Sequence, residues 1–227
     1  MNSTDIAIYC LGVISMIFYG VTYFPQMYQI WKTKTSEGVS IWTALLWCQA
    51  DALSLVGSIL LQLDLMIIII CWYHFFMDLI MIAMVIYFGK TNDKKMISYV
   101  AIFVAVNILA NCLINSIYYN YNDKNNTDTL NLVGEILAWV TTVVYIIGRI
   151  PQILHLQTSI EGLSVLMFAF AIGGNSTYLG LLILQDQPMA NLAWMVLCLC
   201  LILMDLYVIF TIEIKKRVLN KVGVATV

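Results

Sequence analysis

This chain is poor in charge. Only 11% of its 227 residues are Asp, Glu, Lys or Arg, where a soluble domain carries roughly a quarter. The formal net charge is -2, so there is no basic field for a nucleic-acid partner. Histidines number two, and the six cysteines (Cys10, Cys48, Cys71, Cys112, Cys198, Cys200) form no CxxC pair and no His-rich cluster. Cysteines in apolar stretches usually act as small hydrophobes, and neither a metal centre nor a disulfide is expected. There is no nucleotide-binding motif and no nucleophile–base constellation. Neither ATP-driven work nor covalent catalysis is expected, and no cofactor. The first residues, Met1-Asn2-Ser3-Thr4-Asp5, are acidic rather than basic, and the apolar run behind them is too long for the core of a signal peptide.

What the chain has instead is apolar length. Hydrophobic residues make up 62%, against roughly 45–50% in soluble proteins. They come in blocks of about twenty, the length that crosses the hydrocarbon core. The fold class expected is an all-α polytopic membrane protein with seven transmembrane helices, over about 6–30, 41–61, 65–88, 97–118, 130–156, 163–184 and 190–212. Tight turns are expected around Gln62-Leu63-Asp64 and Gln185-Asp186-Gln187-Pro188, and the longest loop over 119–129.

Seven spans put the two ends on opposite sides, and Lys and Arg set the orientation. Lys32, Lys34, Lys90, Lys94, Lys95, Lys215, Lys216, Arg217 and Lys221 fall on one side, and Lys124 alone on the other. The N-terminus is therefore expected in the lumen or outside, and the C-terminus in the cytosol. The connection between spans 5 and 6 has no Lys or Arg and adds nothing. Asn2-Ser3-Thr4 and Asn125-Asn126-Thr127 are glycosylation sequons on the non-cytosolic side. Asn175-Ser176-Thr177 fits the same pattern but lies inside a span, where it should be silent.

A Pro-Gln pair occurs twice, at Pro25-Gln26 and Pro151-Gln152, each late in an apolar run. Each is followed by a polar connection ending in Gly-aliphatic-Ser, at Gly38-Val39-Ser40 and Gly162-Leu163-Ser164. A proline inside a spanning helix removes an amide donor and bends or breaks the helix. The prolines are 126 positions apart and the glycines 124. At the second offset Asp51 falls on Asn175, and Asp78 and Asp205 hold similar late positions in spans 3 and 7. Spans 1–3 thus repeat as spans 5–7. Three spans are an odd number, so span 4 must link the halves if both are to enter from the same side, giving a parallel 3+1+3 layout. The expected units are a first three-helix bundle (1–89), a linker helix with its loops (90–129), a second bundle (130–213) and a short basic tail (214–227). Such halves can rock about a central site, which suits alternating access.

With these motifs the chain resembles the PQ-loop family of membrane transporters. The run from Tyr145 through Arg149-Ile150-Pro151-Gln152, then Gly162-Leu163-Ser164 and Gly174-Asn175-Ser176-Thr177-Tyr178, is most like the lysosomal and vacuolar cationic amino acid branch. There are departures: Gln157-Thr158-Ser159-Ile160 stands where that branch usually carries a basic pair, and Ala50 precedes Asp51 where it tends to have glycine. The resemblance implies that the prolines flex as the bundles rock. It also implies that an aspartate at the position of Asp205 couples protons, as in the cystine transporter.

Residues singled out follow from burial in lipid. A mid-membrane carboxylate is costly and usually functional, and low dielectric penalises its charged form, which lets it load and release a proton. Asp205, Asp78 and Glu135 are the proton-coupling candidates. For Asp78 the alternative is a structural partner for His74 one turn back; for Glu135 it is a rim position. Asp51, Asn175, Tyr178 and Arg149 are the substrate-binding candidates, against interhelical hydrogen bonding and, for Arg149, snorkelling. Pro25, Gln26, Pro151 and Gln152 form the hinge, with the glutamines bonding carbonyls that the break frees. Tyr19, Tyr23 and Tyr145 are cavity candidates or interface anchors. Asn107, Asn111 and Asn115 share one face of span 4, which should pack on the bundles.

The reading is proton-coupled transport of a small polar solute, with arginine and lysine foremost, out of an acidic organelle. The membrane is lysosomal or vacuolar, with the plasma membrane as alternative. The partners are an amino acid, protons and the bilayer; a homo-oligomer is compatible with the sequence. The rivals are a cystine or sugar carrier of the same fold, and a substrate-sensing receptor or scaffold.

Overall fold

The computed structural model describes residues 3–61, 65–89, 94–121, 127–160, 162–184 and 192–221. They form seven helices: α1 (Ser3–Thr33), α2 (Ile41–Leu60), α3 (Leu65–Phe88), α4 (Lys94–Tyr121), α5 (Thr127–His155), α6 (Val165–Leu184) and α7 (Leu192–Lys221). All but α4 are long and apolar enough to cross a membrane, and α4 has a shorter apolar stretch, Ser98–Ile114. The expected turns at Gln62-Leu63-Asp64 and Gln185 to Pro188, the sequons at Asn2 and Asn125, and Lys90, Lys124 and Glu161 lie outside the described residues.

Helix ends differ from expectation in places with physical causes. Neither proline ends its helix: α1 runs past Pro25 to Thr33 and α5 past Pro151 to His155. The lost amide is a local defect that a helix held by neighbours tolerates. The basic run Lys215-Lys216-Arg217 is not a loose tail but the last turns of α7. Lys215 donates to the carbonyls of Leu156 and Gln157, just past the end of α5. Carbonyls left open there would otherwise lack partners.

The halves interlock rather than stand side by side. α1 packs chiefly on α6, and α2 on α5, so the largest helix contacts join one repeat to the other. Glycines permit the approach. A Cβ on Gly174 would sit 2.8 Å from the Tyr19 ring, and one on Gly148 would sit 3.1 Å from Trp47 Cδ1. Small residues serve this purpose in membranes, where lipid is as apolar as any side chain. α4 packs on α2, and its Val100, Phe103 and Val104 join an apolar cluster with Cys48, Ala52, Phe75 and Ile82. Asn107 and Asn111 are buried and donate to carbonyls of their own helix, Phe103 and Asn107 respectively, each at 3.0 Å. The side chain of Asn115 lies outside the described residues.

Candidate functional site

Each Pro-Gln helix carries a row of polar side chains spaced i, i+4, i+7, which lines up on one helix face. On α1 the row is Tyr19, Tyr23, Gln26; on α5 it is Tyr145, Arg149, Gln152. The rows are repeat-mates, and each of the three levels makes the same contact twice.

At the first level the tyrosines cross between repeats. The Tyr19 hydroxyl donates to Asn175 Oδ1 on α6 at 3.0 Å, and the Tyr145 hydroxyl donates to Asp51 Oδ1 on α2. At the second level each row meets an aspartate within its own half. The Tyr23 hydroxyl donates to Asp78 Oδ1 at 2.7 Å. The equivalent Arg149 Nη2 lies 2.7 Å from Asp205 Oδ1 and 3.0 Å from Oδ2. At the third level the glutamines cross again. Gln26 Nε2 donates to the Gly162 carbonyl at 2.5 Å and its Oε1 accepts from the Ser164 amide at 2.8 Å. Gln152 Nε2 donates to the Gly38 carbonyl at 2.7 Å and its Oε1 accepts from the Ser40 amide at 3.1 Å. The glutamines therefore do not bond carbonyls of their own helices. Each holds the Gly-aliphatic-Ser connection of the opposite half. Gly162 is required here: its φ is +76, and a Cβ would fall 2.3 Å from the Thr35 carbonyl oxygen.

Above this clamp lies a cavity of about 780 Å³, within the usual range for small-molecule sites, roughly 300–1,000 Å³. It runs toward the end of the bundle where α1 and α7 begin, past Tyr9, Leu181 and Trp194. Its polar wall includes Tyr19, Asp51, His74, Tyr145, Arg149 and Asn175, with Tyr178 beside them. At the clamp end, the void bordered by Gln26, Thr43, Trp47 and Gln152 is only about 10 Å³, room for one water at most. The cavity is open at one end and shut at the other.

The charges are distributed unequally. Arg149 is buried with its guanidinium carbon 4.2 Å from the Trp47 ring centroid and 5.3 Å from that of Phe168. One nitrogen, Nη2, donates to Asp205 Oδ2 and lies in ion-pair contact with Oδ1, while Oδ1 accepts no hydrogen bond and Nη1 and Nε have no partner. The other half has no such cation. Asp51 on α2 and Asp78 on α3 are both buried where these two helices pack together, and Oδ2 of each lacks a donor. Among the described residues neither meets a lysine or arginine, and the one basic neighbour is His74, with Nδ1 4.0 Å from Asp51 Oδ1. His74 therefore faces Asp51 and not Asp78, whose partner is Tyr23 from α1. A ring cluster of Tyr19, Tyr23 and Tyr73, each 5.5–5.7 Å away, holds the imidazole.

Of the residues singled out from sequence, Asp51, Asn175, Tyr178 and Arg149 come together on the cavity wall. Asp78 and Asp205 lie fully buried behind it. Glu135 is exposed on α5 and does not line the cavity. Sequence reasoning missed Trp47, whose only signal was its place one turn before Asp51. All six cysteines are free thiols, and Cys71 and Cys198 line the cavity.

The clamp gives a direct expectation. Removing both amides (Gln26→Ala with Gln152→Ala) deletes four hydrogen bonds of about 0.5–1.5 kcal/mol each. The shut end should open, and a cysteine introduced at Thr43 should react with a membrane-impermeant maleimide from the clamp side at least about tenfold faster. Equal labelling with and without the glutamines would mean that they do not hold that end closed.

Comparison with known proteins agrees with this architecture. The chain is 24% identical to the human lysosomal amino acid transporter 1 homolog, over 91% of this chain and 82% of that one. It is 21% identical to the vacuolar lysine transporter of Saccharomyces cerevisiae, over 91% and 92%, and 22% identical to the vacuolar histidine transporter of the same yeast, over 74% and 80%. Its fold resembles a eukaryotic SWEET transporter with a TM-score of 0.58 at 13% identity, covering 91% of this chain and 98% of that chain. The profile of the PQ loop repeat matches residues 7–67 and 133–191. One match in each half, together spanning more than half of the chain, makes this multi-pass membrane protein a member of the PQ-loop repeat family.

Proposed function

We propose that the protein is a secondary transporter that moves a cationic amino acid together with a proton out of an acidic compartment, by alternating access. The observation that carries this is the pair Asp51 and Asp78, held in mid-membrane without a lysine or arginine among the described residues. Two neighbouring buried carboxylates cannot both stay ionised at tolerable cost. A cationic solute at Asp51 and a proton on Asp78 would satisfy both. Asp205 already has its counter-charge in Arg149, so Asp78 is the favoured proton carrier of the three candidates. Asp205 then acts as the fixed partner of Arg149, and Glu135 as a group at the bundle surface.

The open end of the cavity is the one that the lysine distribution assigns to the lumen. With that orientation, the wide cavity and the shut clamp support reading this arrangement as lumen-facing. Rocking about Pro25 and Pro151 would part the glutamine clamp and open the cytosolic side. The named activities of the human and yeast relatives favour an amino acid as cargo and a lysosomal or vacuolar membrane as home.

The test is uptake of radiolabelled arginine, lysine, histidine, cystine and glucose into proteoliposomes, with and without an inward pH gradient. Gradient-dependent flux of arginine or lysine is expected. Flux of cystine or glucose alone would assign the cavity to another solute. No flux of any, from inserted and folded protein, would refute transport of these solutes and favour a sensing role.

A further inference from the structure

Arg149 is unusual among the cavity residues because it is only half used. It is 4% exposed and borders the cavity, yet Nη1 and Nε have no acceptor. A buried guanidinium donor without an acceptor is costly, and the Trp47 and Phe168 rings, 4.2 and 5.3 Å from the guanidinium carbon, offer it no hydrogen-bond acceptor. Across the same space, Asp51 Oδ2 is a buried acceptor without a donor. Arg149 and Asp51, both on the cavity wall, thus carry unfilled donors and an unfilled acceptor that are buried away from water.

Their separation is set by the helices. Tyr145 and Arg149 stand one turn apart on α5, and Trp47 and Asp51 one turn apart on the facing α2. Tyr145 touches Asp51 and Arg149 stacks on Trp47. The two open groups therefore differ in height by about one helical turn, roughly 5.4 Å, with Arg149 nearer the clamp. That spacing suits a carboxylate and an ammonium borne on one α-carbon, each a hydrogen bond from its partner.

We infer that Arg149 Nη1 binds the α-carboxylate of the transported amino acid and Asp51 Oδ2 its α-ammonium. The solute side chain then points toward the open end, past Tyr19 and Tyr178. This assignment rests on the proposed amino-acid transport and adds a polarity to it. The site reads the shared backbone of an α-amino acid at its floor, so a decarboxylated or amidated analogue lacks the group that Arg149 seeks. Charge-assisted hydrogen bonds to a buried arginine are the strong kind, and a site built around one rejects ligands that leave it unpaired.

The experiment is displacement of bound radiolabelled arginine from the purified full-length protein by arginine, lysine, argininamide and agmatine. On the wild type, argininamide and agmatine should compete at least about tenfold more weakly than arginine. In the double variant Arg149→Gln with Asp205→Asn, which leaves neither partner charged and alone, that preference should shrink to about one. Asp51→Asn should weaken arginine and agmatine alike and keep their ratio. Equal competition by argininamide and arginine on the wild type would overturn the assignment without any variant, and so would an undiminished preference in a folded double variant. Absence of any arginine or lysine binding to the wild type would instead remove the transport reading on which the assignment stands.

Discussion

Replacing Arg149 with Leu is expected to destabilise the protein by about 3–5 kcal/mol and to abolish transport. Breaking a buried ion pair from one side leaves an uncompensated charge, and that cost is of this size. Asp205 is fully buried and Arg149 is its only ion-pair partner among the described residues. The loss also removes the cation stacked on Trp47 and Phe168. The control is Arg149→Met with Asp205→Leu, which removes both charges. Because replacing a whole buried pair with apolar groups is often neutral or stabilising, the double variant should recover most of the lost stability while remaining inactive. Thermal unfolding of the purified protein in detergent reads the first effect, and liposome uptake the second. A single variant as stable as the wild type would mean that Asp205 finds another partner or a proton, and would weaken the contrast drawn between the halves.

Asp78→Asn should uncouple transport from protons. One proton moved down a gradient of one pH unit supplies about 1.4 kcal/mol, a tenfold concentration ratio. With a gradient of two units and one proton per solute, wild-type liposomes should sustain an accumulation of about a hundredfold, and the variant about none. Asparagine keeps an acceptor for the Tyr23 hydroxyl, so folding and solute exchange across equal pH should survive. The sign follows from the chemistry: an amide resembles the protonated acid and cannot release a proton on the neutral side. Asp205→Asn separates the candidates. If it, and not Asp78→Asn, abolishes gradient-driven accumulation while exchange persists, the proton travels on the second half and not the first.

Much of this architecture is legible in the residues. The seven apolar blocks and the doubled Pro-Gln foretell seven helices and a duplicated repeat, though among the described residues only six of the helices are long and apolar enough to span a membrane. The i, i+4, i+7 rows on the first and fifth spans can be read directly. Burial of Asp51, Asp78 and Asp205 follows from their position inside spans. The cost of a charge in lipid does the predicting there, and it does not depend on which helix is the neighbour.

What spacing cannot supply is the partner. Most of a spanning helix's surface is apolar, so a polar row can mark one face but not the helix that face meets, and association is decided by close fit of small residues. Only the tertiary structure, with Gly148 and Gly174 admitting Trp47 and Tyr19, decides that α1 lies on α6 and α2 on α5. That crossing sends Gln26 to Gly162 and Gln152 to Gly38, rather than to their own helices. It brings His74 to Asp51 instead of Asp78 and pairs Arg149 with Asp205, 56 positions away. The sequence by itself determined which polar groups enter the membrane and at what depth. The packing of seven nearly featureless apolar cylinders decided which of them meet, and so left one half neutral and the other with two carboxylates to be filled.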